Sequence, residues 1–163
     1  MSLQLYRIDD RLIHGQVVVG WGQPLGLRFL VLVDDEVAAS DWEQELYRMG
    51  VPPDMTVHFH TVDEMRTRLA AYEADPRPGL LLVGDVDTMR RLVDVAPSVR
   101  TVNLGGVHHA EGRTQRLRYL FLTPAEEAVL LGLQAAGVAV SAQDVPAARP
   151  VPLADVLAGR GDG

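Results

Sequence analysis

Short apolar runs alternate with longer amphipathic stretches along most of this 163-residue chain. That alternation constrains the fold more than any other feature. The strand-like runs are Leu3–Tyr6, Arg28–Val33, Leu80–Val83, Val99–Leu104, Leu117–Leu122 and Val138–Ala142, and Met55–His60 alternates like a half-buried strand. Helical signals lie between them. Gln16 to about Gly22 is helical. Ser40-Asp41-Trp42-Glu43 and Thr61-Val62-Asp63-Glu64 have capping-box spacing, and predict helices to about Met49 and Glu73. Asp87 to Ala96 is a short helix. Thr123-Pro124 opens a helix that reaches Ala136, with Gly137 as its C′ residue. Apolar strands separated by helices imply a mostly parallel sheet covered on both faces. Right-handed crossovers make it an open, doubly wound α/β sandwich. The polar stretch Val107–Arg116 breaks the rhythm, and can return Leu117–Leu122 antiparallel at one edge. Pro146–Pro152 reads as a linker to a short C-terminal helical turn, Leu153–Leu157, within a single domain spanning 1–163.

Composition excludes several classes. The hydrophobic fraction is 47%, ordinary for a globular core. A net charge of −7 argues against nucleic-acid binding, which needs a basic face. The chain has no cysteine, hence no disulfide and no thiolate metal site. No apolar run approaches the roughly 18 residues of a membrane span, and the N-terminus lacks the layout of a signal peptide. A soluble cytoplasmic protein is expected. All 15 basic residues are arginine, so mechanisms that need a lysine are out.

The chemistry concentrates in one loop, Arg7-Ile8-Asp9-Asp10-Arg11-Leu12-Ile13-His14-Gly15-Gln16, between the first strand and the first helix. In open α/β sheets ligands bind beyond the carboxyl ends of strands, where this loop lies. The helix starting near Gln16 offers free backbone N–H groups and a positive dipole end, both suited to phosphate. Gly15 removes a side chain where backbone must approach closely. Arg11 can fork onto phosphate oxygens, and its charge disfavours the imidazolium form of His14. One of Asp9 and Asp10 accepts a hydrogen bond from the other ring nitrogen of His14, or positions Arg11. The sequence leaves open which one does so.

Other clusters carry less. Asp34-Asp35 ends the second strand and brings a phosphoaspartate receiver to mind, but that chemistry needs a lysine this chain lacks. Asp35 reads as structural or partner-facing. Asn103-Leu104-Gly105-Gly106-Val107 places flexible backbone beside the site, with Gly105 and Gly106 as partner-facing candidates. No G-x-G-x-x-G and no Walker pattern is present. His58 and His60 share a strand face and His108-His109 sit in a loop. Either pair would need a third ligand to hold zinc, so no metal and no cofactor is called for.

The first loop resembles the active-site loop of the IIB subunits of the mannose/fructose/sorbose family of the bacterial sugar phosphotransferase system. Asp34-Asp35-Glu36-Val37-Ala38, Val102–Gly106, Gly112-Arg113-Thr114-Gln115, Glu126-Glu127, Gly137-Val138 and Val145-Pro146 extend the likeness nearly end to end. His108-His109 departs from it. The resemblance implies an open α/β fold and a phosphocarrier. His14 would accept a phosphoryl group, on Nδ1, from the phosphohistidine of a IIA protein. Arg11 would stabilise the transferring group, and a sugar moving through the IIC/IID membrane permease would receive it. The sequence as read shows no IIA domain, so the donor is expected to be a separate chain, met through a small, transient interface. A weak homo-oligomer stays open. So do two alternatives: a regulatory phosphocarrier without sugar transport, and a non-catalytic module binding phosphate or a sugar phosphate.

Overall fold

The computed structural model describes residues 2–160, apart from the side chain of Gln16. In chain order the elements are β1 (Leu3–Ile8), a π-helical turn (Gln16–Trp21) running into α1 (Gly22–Leu25), β2 (Phe29–Val33), α2 (Asp35–Ala38), α3 (Asp41–Met49), β3 (Thr56–His60), α4 (Met65–Ala74), β4 (Gly79–Val83), α5 (Val86–Val95), β5 (Thr101–Leu104), β6 (Thr114–Leu117), β7 (Leu120–Leu122), α6 (Pro124–Ala135), β8 (Ala139–Ala142), β9 (Val151–Pro152) and α7 (Leu153–Leu157).

The main sheet runs β3-β2-β4-β1-β5-β8-β9, parallel throughout except for β9. Buried on both faces, β2 and β4 read as unbroken apolar runs, Phe29–Val33 and Gly79–Val83. On one face Met65, Leu69, Met89, Leu92, Leu130 and Val156 bring α4 to α7 onto the sheet. On the other, Val17, Trp21, Leu25 and Val37 seat the π-helical turn, α1 and α2. Side-chain caps start several helices: Asp34 accepts from Val37 N, Asp85 from Thr88 N, and Thr123 with Glu126 forms a reciprocal capping box. Gly137, with φ of +96°, turns the chain after α6 as a C′ glycine should.

The order of strands places the site. The connection after β1 leads toward β2, and that after β5 leads the opposite way, toward β8. Their loops diverge from neighbouring strands and leave a crevice at the carboxyl ends. The loop after β1 is the one dense in titratable groups.

The doubly wound, mostly parallel sheet agrees with the sequence. Several details do not. Leu117–Leu122 is not one strand at the sheet edge. It is a hairpin of β6 and β7 in a sheet of their own, folded at Arg118-Tyr119 and fastened to the loop after β5 by a bridge between Val107 and Leu120. Those two residues lack the glycine or asparagine that flags a two-residue turn. The antiparallel edge is β9, at the end of what reads as a linker. Its proline is tolerated there because an edge strand leaves N–H positions unpaired. The Thr61 and Glu64 box forms, with contacts of 2.8 and 3.1 Å, yet regular helix begins only at Met65.

Candidate functional site

Arg7 and Asp9 lie two residues apart at the end of β1 and are buried, at 1% and 0% exposure. Charged groups survive such burial only when paired and hydrogen-bonded. The Arg7 guanidinium stacks 4.7 Å from the centroid of Trp21. It donates to Asn103 Oδ1, to the carbonyls of Gln143 (2.8 Å) and Asp144 (3.2 Å), and to Asp9 Oδ2 (3.4 Å). Burial lowers its pKa, against the opposing charges of Asp9 and Asp144. Arg7 thus joins the ends of β1, β5 and β8.

Asp9 collects the site. Its Oδ1 accepts from the Arg11 backbone N–H (3.1 Å) and from Arg11 Nε (3.2 Å), and its Oδ2 accepts from Arg11 Nη2 (3.3 Å) and Gly106 N–H (3.4 Å). His14 Nε2 stands 3.6 Å from the same Oδ1, beyond a good hydrogen bond but well within reach of the charge. Burial works against the Asp9 anion. The His14 ring, the Arg11 contacts and the charges of Arg7 and Arg11 outweigh it and hold the carboxyl well below the usual range.

The backbone presents the histidine. Asp9 N–H bonds to Val83 O (3.0 Å), Asp10 N–H to Gly106 O (2.9 Å) and Leu12 N–H back to Asp9 O (3.0 Å). Leu12 takes φ of +56°, a left-handed conformation that costs a non-glycine residue roughly 1–3 kcal/mol. Such strain collects where a loop must aim a side chain. Behind it Ile13 and Val17 are buried while His14 keeps partial exposure, its side chain 19% accessible. A π-helical turn follows directly, a form frequent at functional sites. A methyl group at Gly15 would meet nothing within 4 Å, so the space over it is open to an approaching group. The side chain of Gln16 lies outside the described residues, and its reading as a phosphate ligand rests on the sequence.

The other candidates separate. Asp10 turns away from His14 and clamps His108, accepting from its backbone N–H (2.7 Å) and lying 2.6 Å from its Nδ1. Arg113 then holds the His108 carbonyl (2.8 Å) and pairs with Glu126 at the start of α6. Asp35 accepts from Val62 N–H (3.0 Å) and Arg91 (2.8 Å), both of which lower its pKa, and takes no part in the His14 cluster. His60 meets the Tyr72 hydroxyl at 2.6 Å, and the His58 ring packs on Tyr72. Among the described residues no group of three or more His, Asp or Glu side chains could hold a metal ion.

Arg7 and Asn103 are the members that inspection of the sequence passes over. The available signal is the Arg7-x-Asp9 spacing at a strand end, which points both side chains to one face. Gly105 gives another. A Cβ there would come within 2.4 Å of Arg7 Nη2, so the guanidinium occupies the space of the missing side chain. Gly105→Ala should destabilise by about 1–3 kcal/mol, the range for overpacking a filled site. Urea unfolding of the two proteins measures it, and equal midpoints would show that Arg7 moves aside freely.

A family model described as PTS system sorbose subfamily IIB component matches residues 3–162. The chain belongs to this family. It is a IIB component of the phosphotransferase system, in a family of sugar-transport transferases. The N-acetylgalactosamine-specific phosphotransferase enzyme IIB component 1 of Escherichia coli (strain K12) is 34% identical over 149 residues, which cover 89% of this chain and 92% of that one. The mannose-specific EIIAB component of the same strain is 37% identical over 116 residues, covering 71% of this chain but only 36% of that longer protein. Among solved structures, the N-acetylgalactosamine-specific IIB component 1 from Escherichia coli superposes with a TM-score of 0.83 at 31% identity, covering 91% of this chain and 97% of that one. The likeness read from the first loop therefore extends along the chain. No helix of the described residues is long and apolar enough to cross a membrane.

Proposed function

We propose that this IIB component carries a phosphoryl group on His14, taking it from the phosphohistidine of a IIA partner and passing it to a sugar at the IIC/IID membrane permease. One observation carries the reading. The Nε2 edge of the His14 ring faces the buried Asp9 anion at 3.6 Å, which favours the tautomer with its proton on Nε2 and the lone pair on Nδ1. That lone pair attacks phosphorus as the donor's P–N bond breaks and the donor imidazole leaves with the bonding pair. Both partners are phosphohistidines, so the step is nearly isoenergetic and rests on positioning and charge stabilisation. Arg11, with its side chain 34% exposed at the rim, is the guanidinium for the moving phosphoryl oxygens. The mannose-specific relative that joins A and B parts under one name supports IIA as the donor.

The deciding experiment is incubation with phosphorylated IIA protein, followed by a search for acid-labile, base-stable phosphate on the peptide bearing His14. Absence of covalent phosphate would leave only a binding module. Transfer should also proceed at an unchanged rate in excess EDTA. Protein cations and open backbone N–H groups do here what Mg²⁺ does in nucleotide enzymes. The nearby acids are already committed, Asp9 to two arginines and Asp10 to His108. A collapse in EDTA that Mg²⁺ restores would overturn the metal-free mechanism.

A further inference from the structure

Asp9 is shared by two arginines that differ in their burial. Arg7 is 1% exposed and pinned by Asn103, by two carbonyls and by the face of Trp21. Arg11 sits at the rim with its side chain 34% exposed. A carboxylate oxygen has two lone pairs. Those of Asp9 Oδ1 are taken by the Arg11 backbone N–H at 3.1 Å and by Arg11 Nε at 3.2 Å. His14 Nε2, aimed at the same oxygen, is held out at 3.6 Å. Arg11 thus makes the two short contacts to Oδ1, and His14 is the third and most distant donor there.

Resting on the phosphocarrier reading of His14, we propose that phosphorylation exchanges the partners of Asp9: the Arg11 guanidinium leaves for the phosphoryl group, His14 Nε2–H closes onto the vacated lone pair of Oδ1, and Arg7 stays behind as the fixed counter-ion. Arg7 is thus a positioning residue that makes Arg11 transferable. Without it, Asp9 would be a buried anion dependent on Arg11, and the loan of Arg11 to the phosphoryl group would strand that anion. With it, Asp9 keeps a guanidinium and the Gly106 N–H throughout. The exchange also matches charge to need. The phosphorylated ring carries positive charge when Nε2 keeps its proton, and the released Oδ1 receives that proton's hydrogen bond.

Two measurements test the exchange. In the first, the protein is loaded with phosphoramidate, a small P–N donor that releases ammonia, and the ¹⁵N-labelled ring of His14 is titrated by NMR. Phospho-His14 in the unaltered protein should keep its Nε2 proton to a pH about one unit higher than in Asp9→Asn. Equal titrations would overturn the proposal while leaving the phosphocarrier intact, whereas absence of phosphate from His14 would remove both. In the second, rates of transfer from phosphorylated IIA protein are compared for Arg7→Lys, Arg11→Ala and the double variant, each checked for folding by thermal melting. Lysine at position 7 keeps a charge but loses the fork, so Arg7→Lys should slow transfer about tenfold, as for a coupled contact. In the Arg11→Ala background the same change should cost almost nothing further, because the arginine it releases is gone. Losses that multiply would show a general structural role and overturn the proposal. Should Arg7→Lys not fold, the ring titration decides alone.

Discussion

His14→Ala should take up no phosphate from phosphorylated IIA protein, while keeping the melting behaviour of the parent to within about 1 kcal/mol of stability. Alanine removes the proposed nucleophile itself, so on this reading no residual chemistry remains at position 14. Stability is expected to survive because the ring is loop-borne, and because Asp9 retains both arginines and the Gly106 N–H when the imidazole is gone. Phosphorus NMR of the incubated variant, set beside its thermal melt, makes the measurement. Phosphohistidine persisting in the variant would move the acceptor elsewhere. The other histidines are poor substitutes: His58 packs on Tyr72, His60 is engaged with the Tyr72 hydroxyl, His108 with Asp10, and His109 lies edge-on to Phe121.

Arg11 carries the second large effect. Its guanidinium reaches Asp9 through Nε and Nη2, at 3.2 and 3.3 Å, from a position at the site rim. Lysine at this position keeps a point charge for the phosphoryl group but loses the planar fork. Arg11→Lys should therefore retain slow transfer, and Arg11→Ala should lose roughly a further hundredfold, as expected for removing one electrostatic stabiliser. Single-turnover transfer from phosphorylated IIA protein separates the two variants. Equal rates would show that charge at position 11 is not what the reaction uses. The Arg11 backbone N–H on Asp9 Oδ1 survives either substitution, so the loop keeps one of its anchors in both.

Much of the fold was legible because its signals are local. Strands buried on both faces leave continuous apolar runs, as in Phe29–Val33 and Gly79–Val83. Ser40, Thr123 and Gly137 mark helix ends through contacts that span three residues or a single dihedral angle. What was hidden depends on partners far along the chain or on unmarked turns. Arg118-Tyr119 turns without turn chemistry, and a two-residue strand at Val151 cannot be told from the end of a linker. In the site, the adjacent acids Asp9 and Asp10 look equivalent in sequence. They separate only because β1 points Asp9 inward toward Arg7, while Asp10 faces outward to a histidine 98 positions later. The role of His108 was unreadable for the same reason, and the commitment of Arg7 to Asn103 spans 96 positions.

The contact between Arg7 and Gly105 bears on how such a chain can drift. The guanidinium fills the volume where a side chain at position 105 would begin, with 2.4 Å left to a hypothetical Cβ. A change at either position therefore acts on the other. A lineage that keeps the arginine inherits the glycine with it, and one that replaces the glycine must first shorten the residue on the neighbouring strand. Either first step alone passes through an ancestor with a weakened site: a buried carboxylate short of its fixed counter-ion, or a displaced guanidinium. Divergence among relatives should then accumulate around this pair and leave it to change, if at all, in a single joint event.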